Sequence, residues 1–295
     1  MRKEAAAMLL GYSTWGMPTV PIDIAIRHLA RLGFDGMELT VIPRWVTELS
    51  TLDQAARQRI RMLLDETGLQ LPAVAGHTSL LAQDPAEHAQ NMRRLQGGVD
   101  LCVDLARHGE MPCLNTTAGA HPEDWGQLKE QLVERLHTLG VYAAERGVMV
   151  AIEPHVGSIL DLPEKAIWVI EHVNLPNVRL NFDISHFNVI GLSIEQTVPL
   201  LVPYTVHTHV KDERGRAPQH EFLIPGEGEF DYVRYLKAMA AAGYTGFITV
   251  EISIMVQQRP GYDPLAAATQ SYHVLHQAFE RAGLSSGASG TGEPG

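Results

Sequence analysis

One local pattern recurs along this chain and limits the folds it can adopt. A short run rich in apolar and β-branched residues ends abruptly at a carboxylate or a histidine, and a helix-like segment follows. Such runs are typical of β-strands, and the ionisable residue marks the place where the strand gives way to a loop. In the second half of the chain, four strands end in this way, at Glu153, Asp183, His209 and Glu251.

Strand-like and helix-like segments alternate eight times between residues 8 and 282. A helix between two strands returns the chain to the same edge of a sheet, so that neighbouring strands run parallel. Eight units favour a closed barrel over an open sheet, and no Gly-x-Gly-x-x-Gly turn of a dinucleotide-binding fold follows the first strand. We therefore predict an α/β fold: one (β/α)8 TIM barrel over residues 1–282, with a flexible Gly/Ser-rich tail over 283–295.

Composition limits the partners and the compartment. The net charge of −11 provides no global positive field for nucleic acid. The two cysteines, Cys102 and Cys113, are too few for a disulfide framework. The N-terminus resembles no signal peptide, and no apolar run approaches the roughly 20 residues of a membrane span. We expect a soluble, cytoplasmic protein that acts on a small molecule and binds neither nucleic acid nor membrane; its oligomeric state, including a homo-oligomer, stays open.

The four strand-end residues predict a metal site. In a barrel the active site lies at the carboxyl-terminal ends of the strands, and the strands that carry these residues are consecutive. Three carboxylates brought close together repel each other unless a cation compensates them. A helix cap or a lysine partner explains any one of them singly, but not four at the same end. Three oxygens and one imidazole nitrogen suit Mn²⁺ or Mg²⁺, with Co²⁺ and Zn²⁺ as alternatives, so we predict one divalent ion bound by Glu153, Asp183, His209 and Glu251.

Four further residues are candidates for substrate binding. His186 follows just past a strand end, where it can bind a hydroxyl or polarise a carbonyl; the alternative is a surface histidine. His155 and His77 also lie at strand ends, where each is a pocket wall or a structural residue. Arg214 lies in a stretch, 212–229, that reads as a turn-rich loop, from which it can reach over the site toward a hydroxyl or a phosphate. A solvated surface position is its alternative.

Two more ionisable residues need a separate reading. His207 shares the strand face of His209 by the period of two, and we expect it to be a deeper, hydrogen-bonded barrel residue. Glu38 also ends a strand, where it is either a residue of the pocket or a member of a buried ion pair.

Five motifs carry a family resemblance, and they span the chain up to about residue 282. They are Ala-Ile-Glu153-Pro-His155, Asp183-Ile-Ser-His186, His209-Val-Lys-Asp212, Pro225-Gly-Glu-Gly228 and Glu251. In these motifs the chain resembles the xylose-isomerase-like TIM barrel superfamily of sugar phosphate isomerases and epimerases. In the ketose 3-epimerases of this group, the residues that match the four predicted ligands hold a divalent metal, often Mn²⁺. The two matching glutamates also act as acid and base, and the match to His186 contacts substrate.

The resemblance implies an activity in carbohydrate metabolism. The expected enzyme is a divalent-metal-dependent sugar isomerase or epimerase that moves a proton α to a carbonyl of a ketose or related keto-polyol. Its metal-bound enediolate would form when Glu153 or Glu251 removes the proton, and the other glutamate would return it. The epimerases carry a glutamate where this chain has Ile159 and an arginine where it has Gly215, which leaves the substrate open.

Other reactions use a similar barrel. A metal-dependent dehydratase or lyase acting on a keto-inositol or related keto-sugar is the main alternative, because it would use the same metal to stabilise an enolate. An apurinic-site endonuclease shares the Asp-x-x-His step but needs three zinc ions and an Asp-x-His motif, which the stretch after Asp212 lacks. A protein that only binds sugars would not need both glutamates.

Overall fold

Ten β-strands are present in residues 8–284, the part of the chain that the computed structural model describes. Eight of them form a closed barrel, and the other two form a separate hairpin. In chain order they are β1 (Leu9–Ser13), β2 (Gly36–Thr40), β3 (Gln70–Ser79), β4 (Cys113–Thr117), β5 (Val150–Glu153), β6 (Val178–Asp183), β7 (Thr205–Val210), β8 (Asp212–Arg216), β9 (Gln219–Leu223) and β10 (Phe247–Val250).

Ten α-helices accompany these strands within the same described range. They are α1 (Ile22–Leu32), α2 (Gln54–Thr67), α3 (Pro85–Leu105), α4 (Trp125–Ala144), α5 (Pro163–Val173), α6 (Ile184–Asn188), α7 (Ile194–Leu201), α8 (Tyr232–Ala241), α9 (Ile254–Gln257) and α10 (Pro264–Ala282). The short helix α6 directly follows β6, and α9 follows β10 after residues 251–253, both at the rim where the candidate site lies.

The barrel closes between its first and last strands. Around the barrel the order is β1, β10, β7, β6, β5, β4, β3, β2, and each neighbouring pair is parallel. The predicted single-domain TIM barrel is therefore confirmed. The predicted tail, residues 283–295, lies outside the described residues from 285 onward.

Local sequence signals explain where the helices begin and end. Helix α10 has a recognisable signal at both of its ends. Asp263 caps its first turn by accepting hydrogen bonds from the backbone N–H of Leu265 and Ala266, and Pro264 needs no partner at this position. Gly283 ends the helix with φ of 72°, a left-handed conformation that glycine adopts without a side-chain clash.

The stretch after Asp212 differs from the prediction of a turn-rich loop. Residues 212–223 form the antiparallel hairpin β8–β9 instead. Half of its residues are exposed, so the apolar alternation that signals a strand is missing, and Gly215 and Pro218 mimic the composition of a loop. The hairpin stands beside the carboxyl-terminal end of β7, and therefore beside the candidate site.

Apolar packing surrounds the barrel on its outer side. The inward faces of the helices pack on the strands in one large buried cluster, which holds the strand ends at fixed positions. None of the helices in residues 8–284 has both the length and the apolar character required to span a membrane.

Candidate metal and active site

The four predicted ligands meet at one end of the barrel. Glu153 and Asp183 are the last residues of β5 and β6, His209 is next to last in β7, and Glu251 follows β10 directly. These four strands are consecutive neighbours around the barrel. One ligand atom from each residue lies within 4.8 Å of the others, and all four residues are buried.

The two sides of the His209 ring face different carboxylates. Nδ1 lies 3.4 Å from Glu153 Oε1 and 3.6 Å from Glu251 Oε1, and the Asn181 amide nitrogen is 3.1 Å away. Nε2 lies 3.0 Å from Glu38 Oε1. Burial lowers the pKa of His209, but the surrounding carboxylates outweigh it and raise that pKa well above its usual range. The cluster thus favours positive charge beside Nδ1, whether a proton or a metal ion supplies it.

One carboxylate oxygen of Asp183 accepts hydrogen bonds from Ser185, and the other faces the cluster. Its Oδ1 accepts hydrogen bonds from the backbone N–H of Ser185 at 2.9 Å and from the Ser185 hydroxyl at 2.6 Å. Its Oδ2 accepts from the ammonium group of Lys211. Burial raises the pKa of Asp183, but Lys211 and His186 more than compensate and lower it to about 2. Asp183 is therefore ionised at neutral pH.

Lys211 was not predicted as a site residue, and it lies at the centre of the site. Its Nζ contacts Asp183 Oδ2 and lies 2.5 Å from Glu251 Oε2, and its side chain is only 3% exposed. Burial lowers the pKa of Lys211, but the carboxylates raise it above its usual range. Alternate residues of a strand lie on the same face, so the alternation that places His207 and His209 on one face also places Lys211 there. This alternation is the sequence signal from which Lys211 could have been identified.

The charges of the cluster suit a divalent ion. Glu153 is also ionised, because His209 and His186 lower its pKa well below the usual range against the effect of burial. The carboxyl groups of Glu153, Asp183 and Glu251 offer ligand atoms that lie within 4.8 Å of one another and of a His209 ring nitrogen, and Lys211 contacts two of these carboxyl groups. Carboxylate oxygens with one imidazole nitrogen are ligands that Mn²⁺, Mg²⁺, Co²⁺ and Zn²⁺ accept, so the donor set fits such an ion.

Glu38 lies on the barrel side of His209 and belongs to a buried network. Its oxygens accept hydrogen bonds from the Ser13 hydroxyl at 2.6 Å and from the Asn115 amide at 3.0 Å. His207 Nε2 lies 3.3 Å from Glu38 Oε2. Glu38, His207 and His209 could also gather around an ion, and such an ion would share His209 with the four-residue cluster. Glu38 and His207 are both buried, and Glu38 contacts the rings of His207 and His209, the position expected of a member of a buried ion pair.

A cavity of about 200 Å³ opens beside the cluster. His186 and His155 line it, with their ring centroids 3.7 Å apart. Neither ring nitrogen of His186 has a hydrogen-bond partner among residues 8–284, although Nε2 lies 3.5 Å from Asp183 Oδ2 and 3.7 Å from Glu153 Oε1. Burial and the neighbouring His186 lower the pKa of His155 to about 4. His77 also lines the cavity, with Nε2 4.0 Å from Glu153 Oε2. The full lining is Trp15, His77, Thr117, Glu153, His155, His186, Lys211, Phe222, Glu251, Ser253 and Ile254.

Arg214 is placed differently from the prediction that it reaches over the site. Its guanidinium pairs with Glu221 across the β8–β9 hairpin at 3.2 Å, and both side chains are more than half exposed. It is absent from the cavity lining. The cause is that residues 212–223 form a hairpin and not a loop, so Arg214 lies opposite Glu221 on the neighbouring strand and pairs with it. Ile159, at the position of the epimerase glutamate, is fully buried and also absent from the lining.

Comparisons with known proteins agree with the fold. The family model described as "Xylose isomerase-like TIM barrel" matches residues 26–275. A protein of Streptomyces coelicolor named as a proposed hydroxypyruvate isomerase is 25% identical over 261 residues, which cover 80% of this chain and 85% of that protein. The fructoselysine 3-epimerase of Escherichia coli O157:H7 is 23% identical over 280 residues, which cover 86% of this chain and 93% of the epimerase.

Two more comparisons differ in what they cover. The inosose dehydratase of Geobacillus thermodenitrificans is 27% identical over 144 residues, but these span only 44% of this chain and 47% of the dehydratase. Among solved structures, the D-psicose 3-epimerase of Clostridium cellulolyticum H10 with D-tagatose superimposes with a TM-score of 0.75 at 18% identity, covering 93% of this chain and 99% of that one. At this identity the structural similarity concerns the fold.

Proposed function

Because this chain belongs to the xylose isomerase-like TIM barrel family, we propose that it is a divalent-metal-dependent isomerase or epimerase. Its reaction moves a proton on the carbon next to a carbonyl of a ketose or a related keto-polyol. The observation that carries the proposal is the pair Glu153 and Glu251, two carboxylates that line one small cavity and lie 3.4 Å and 3.6 Å from the His209 Nδ1 atom. Relatives named as isomerases and as a sugar 3-epimerase support the same class.

The two glutamates can share the proton transfer. One carboxylate takes the proton from the carbon, and the electrons of the C–H bond move toward the carbonyl oxygen to give an enediolate. For an epimerisation, the other glutamate enters the step as a carboxylic acid and delivers its own proton to the same carbon; for an isomerisation, the first glutamate gives the proton that it took to the neighbouring carbon. Return to the opposite face of the same carbon inverts its configuration, and delivery to the neighbouring carbon exchanges ketose and aldose.

The ligand set and the cavity wall have separate tasks. Glu153, Asp183, His209 and Glu251 would hold the metal ion, which supplies Lewis-acid stabilisation of negative charge on substrate oxygens when it is bound. Manganese is our first choice among the metals that accept this donor set. Neither ring nitrogen of His186 has a hydrogen-bond partner in the described part of the chain, so we expect His186 to bind a substrate hydroxyl, and His155 and His77 form the adjoining wall.

The size of the cavity favours a small substrate. Pockets for drug-sized ligands measure about 300–1,000 Å³, and this cavity measures about 200 Å³. We therefore expect a single sugar, a cyclic polyol or a shorter keto acid as the substrate, in place of an oligosaccharide.

A dehydratase is the second candidate, and its support is the similarity to the inosose dehydratase. The same carboxylates would remove the proton next to the carbonyl, and the substrate would then lose a β-hydroxyl as water. The match covers under half of that relative, so the isomerase or epimerase remains our first proposal.

An NMR experiment in D₂O distinguishes these reactions. The protein is loaded with Mn²⁺ and incubated with a panel of ketoses, keto-inositols and hydroxypyruvate, and it is removed before the spectra are recorded. Deuterium at an inverted carbon next to the unchanged carbonyl identifies an epimerase, deuterium at the former carbonyl carbon of the product identifies an isomerase, and a new enone identifies a dehydratase. If the panel shows no exchange of any carbon-bound proton, the proposed chemistry is wrong.

The exchange of either glutamate for glutamine should abolish turnover. Glu153→Gln and Glu251→Gln keep the shape of the side chain but remove its ability to carry the proton, so we expect kcat to fall by about 10²-fold or more. Rates are measured on the substrate that the panel identifies, with circular dichroism to check folding. Glu48→Gln, a surface glutamate paired with Arg94, is the matched control. Wild-type rates in either glutamine variant would refute the assigned roles.

A further inference from the structure

We propose that Lys211 is a further catalytic residue of this site, whose ammonium group donates a hydrogen bond to the substrate oxygen that gains negative charge. The inference rests on the proposed function, since it concerns the oxygen that becomes an enediolate oxygen in that reaction. Lys211 keeps its proton throughout and acts as a fixed donor beside the two glutamates.

The hydrogen-bond capacity of the ammonium group is the first argument. A lysine ammonium has three N–H donors. Asp183 Oδ2 takes one and Glu251 Oε2 takes a second. Within residues 8–284, Nζ makes no further hydrogen bond or ion pair beyond these two contacts. A buried donor without an acceptor costs free energy, so the third N–H requires an acceptor that these residues do not provide.

The position of Lys211 identifies where that acceptor would lie. Lys211 belongs to the cavity lining, together with both glutamates. Its Nζ lies 2.5 Å from Glu251 Oε2, and an oxygen bonded to the carbon that Glu251 serves would be close to the ammonium group. The cavity is thus the space from which an oxygen can approach the third donor.

The surroundings make this donor effective. Two carboxylates hold the ammonium group, and the Phe222 ring of β9 lies 5.6 Å from Nζ. The side chain is 3% exposed, so little water competes for its protons. A donor that is already oriented and shielded from water stabilises a developing negative charge more strongly than a mobile surface lysine.

A purely structural role is the competing explanation. In that case Lys211 would only neutralise Asp183 and Glu251 and would never touch substrate. The two explanations differ in what they predict for ligand binding. A neutralising lysine affects the affinity for the metal alone, whereas a substrate-contacting lysine also affects the affinity for a molecule with the oxygens of an enediolate.

Binding of glycolohydroxamate tests the proposal without turnover. This small hydroxamate carries two neighbouring oxygens in the arrangement of an enediolate. Its affinity is measured by calorimetry on the Mn²⁺-loaded wild type, Lys211→Met and Lys211→Arg, with the Mn²⁺ affinity of each protein measured separately. Lys165→Met is the matched control, because Lys165 is also a largely buried lysine paired with an aspartate, Asp161.

We expect Lys211→Met to bind glycolohydroxamate about 10- to 100-fold more weakly, the range for a lost hydrogen bond to a charged group. Lys211→Arg should recover part of this loss, and Lys165→Met should match the wild type. The affinity of Lys211→Met for Mn²⁺ should stay the same or increase, since a positive charge has been removed from beside the carboxylates. Unchanged hydroxamate affinity in Lys211→Met would overturn the proposal.

A second measurement applies even if Lys211→Met does not fold. Wild-type protein with ¹⁵N-labelled lysine is loaded with Mg²⁺ and titrated with glycolohydroxamate, and the Nζ resonance of Lys211 should shift. No shift at saturation would refute the contact. Failure of the proposed function has a different signature: Glu153→Gln and Glu251→Gln retain turnover, or the wild type turns over nothing, whatever the hydroxamate shows.

Discussion

At the scale of single residues, His209 links two parts of the barrel that are distant in sequence. Its Nε2 faces Glu38 of β2, and its Nδ1 faces Glu153 and Glu251 at the rim. A carboxylate behind a metal-binding imidazole holds the proton on the far nitrogen and leaves the near nitrogen free for the metal. Glu38 is placed to hold the proton on Nε2 of His209 and so to leave Nδ1 free for a metal.

The exchange Glu38→Gln should therefore weaken metal binding. The glutamine amide has no negative charge to hold the proton on Nε2, and we expect the Kd for Mn²⁺ to rise about 10- to 100-fold. Calorimetry with the metal measures this directly. Glu48→Gln should leave the Kd unchanged. A folded Glu38→Gln protein with wild-type affinity would show that His209 is oriented by other contacts.

Sequence reasoning found the residues at strand ends and missed contacts that depend on closure of the barrel. Glu153, Asp183, His209 and Glu251 could be selected because each follows a recognisable strand, and parallel strands bring their carboxyl-terminal ends together. The contact of Glu38 with His209 joins positions 171 residues apart, which no local pattern encodes. Lys211 was missed because an average lysine is exposed, and only the neighbouring carboxylates make its burial favourable.

At the scale of elements, the β8–β9 hairpin is fastened at its base by one carboxylate. Asp212 Oδ2 accepts hydrogen bonds from the backbone N–H of Gly226 and Gly228, and its Oδ1 accepts from Phe230. A Cβ atom at Gly228 would lie 2.3 Å from Asp212 Oδ1, so this close approach needs glycine. The motifs His209-Val-Lys-Asp212 and Pro225-Gly-Glu-Gly228, which both carry the family resemblance, therefore contact each other. This contact places the hairpin and its Phe222 beside the cavity.

A buried glutamate in this hairpin should make stability depend on pH. Burial raises the pKa of Glu213 to about 8, and its Oε2 has no hydrogen-bond partner in the described chain. The folded state keeps a proton that the unfolded chain releases near pH 4.5, so the free energy of unfolding should fall as pH rises from 5 to 8. The loss should reach a few kcal/mol, at about 1.4 kcal/mol for each pKa unit.

Urea unfolding of Glu213→Gln at pH 5 and pH 8 measures this effect. Glutamine stays neutral, so the variant should lose the part of the pH dependence that Glu213 causes. Glu221→Gln, on the exposed side of the hairpin, should keep the wild-type dependence. An identical pH dependence in Glu213→Gln and wild type would mean that Glu213 is not held in its protonated form.

The elements differ in how well sequence predicts them, and the reason is their burial. α10 has an aspartate cap, a first-turn proline, an apolar face and a terminal glycine, so that every local signal agrees with the structure. The hairpin has exposed strands and a turn-rich composition, and its stability depends on Asp212 and on pairing between its own strands. Composition alone does not contain that information.

At the scale of the whole molecule, the barrel and the ligand cluster support each other. β5, β6, β7 and β10 each contribute one ligand, so an ion bound there would connect four neighbouring strands. A ligand that binds only the folded state stabilises it by mass action.

Metal should therefore raise the melting temperature. At a free Mn²⁺ concentration of about 100 times Kd, the gain in the free energy of unfolding is about 2.7 kcal/mol, which corresponds to several degrees in Tm. Differential scanning fluorimetry with Mn²⁺, and then with EDTA, should show the rise and its reversal. Asp183→Asn should lose most of the response. Metal analysis that finds no divalent ion, together with a Tm insensitive to Mn²⁺, Mg²⁺, Co²⁺ and Zn²⁺, would contradict the site.

The pairing of β1 with both β2 and β10 has a consequence for a chain that leaves the ribosome from its N-terminal end. β1 finds its partner β2 early, but its other edge pairs with residues 247–250, which are made more than two hundred residues later. Until then one side of β1 offers unpaired backbone groups to any other extended segment. During synthesis the nascent polypeptide is therefore exposed to mispairing, and the arrival of β10 both removes that risk and brings Glu251 to its neighbours.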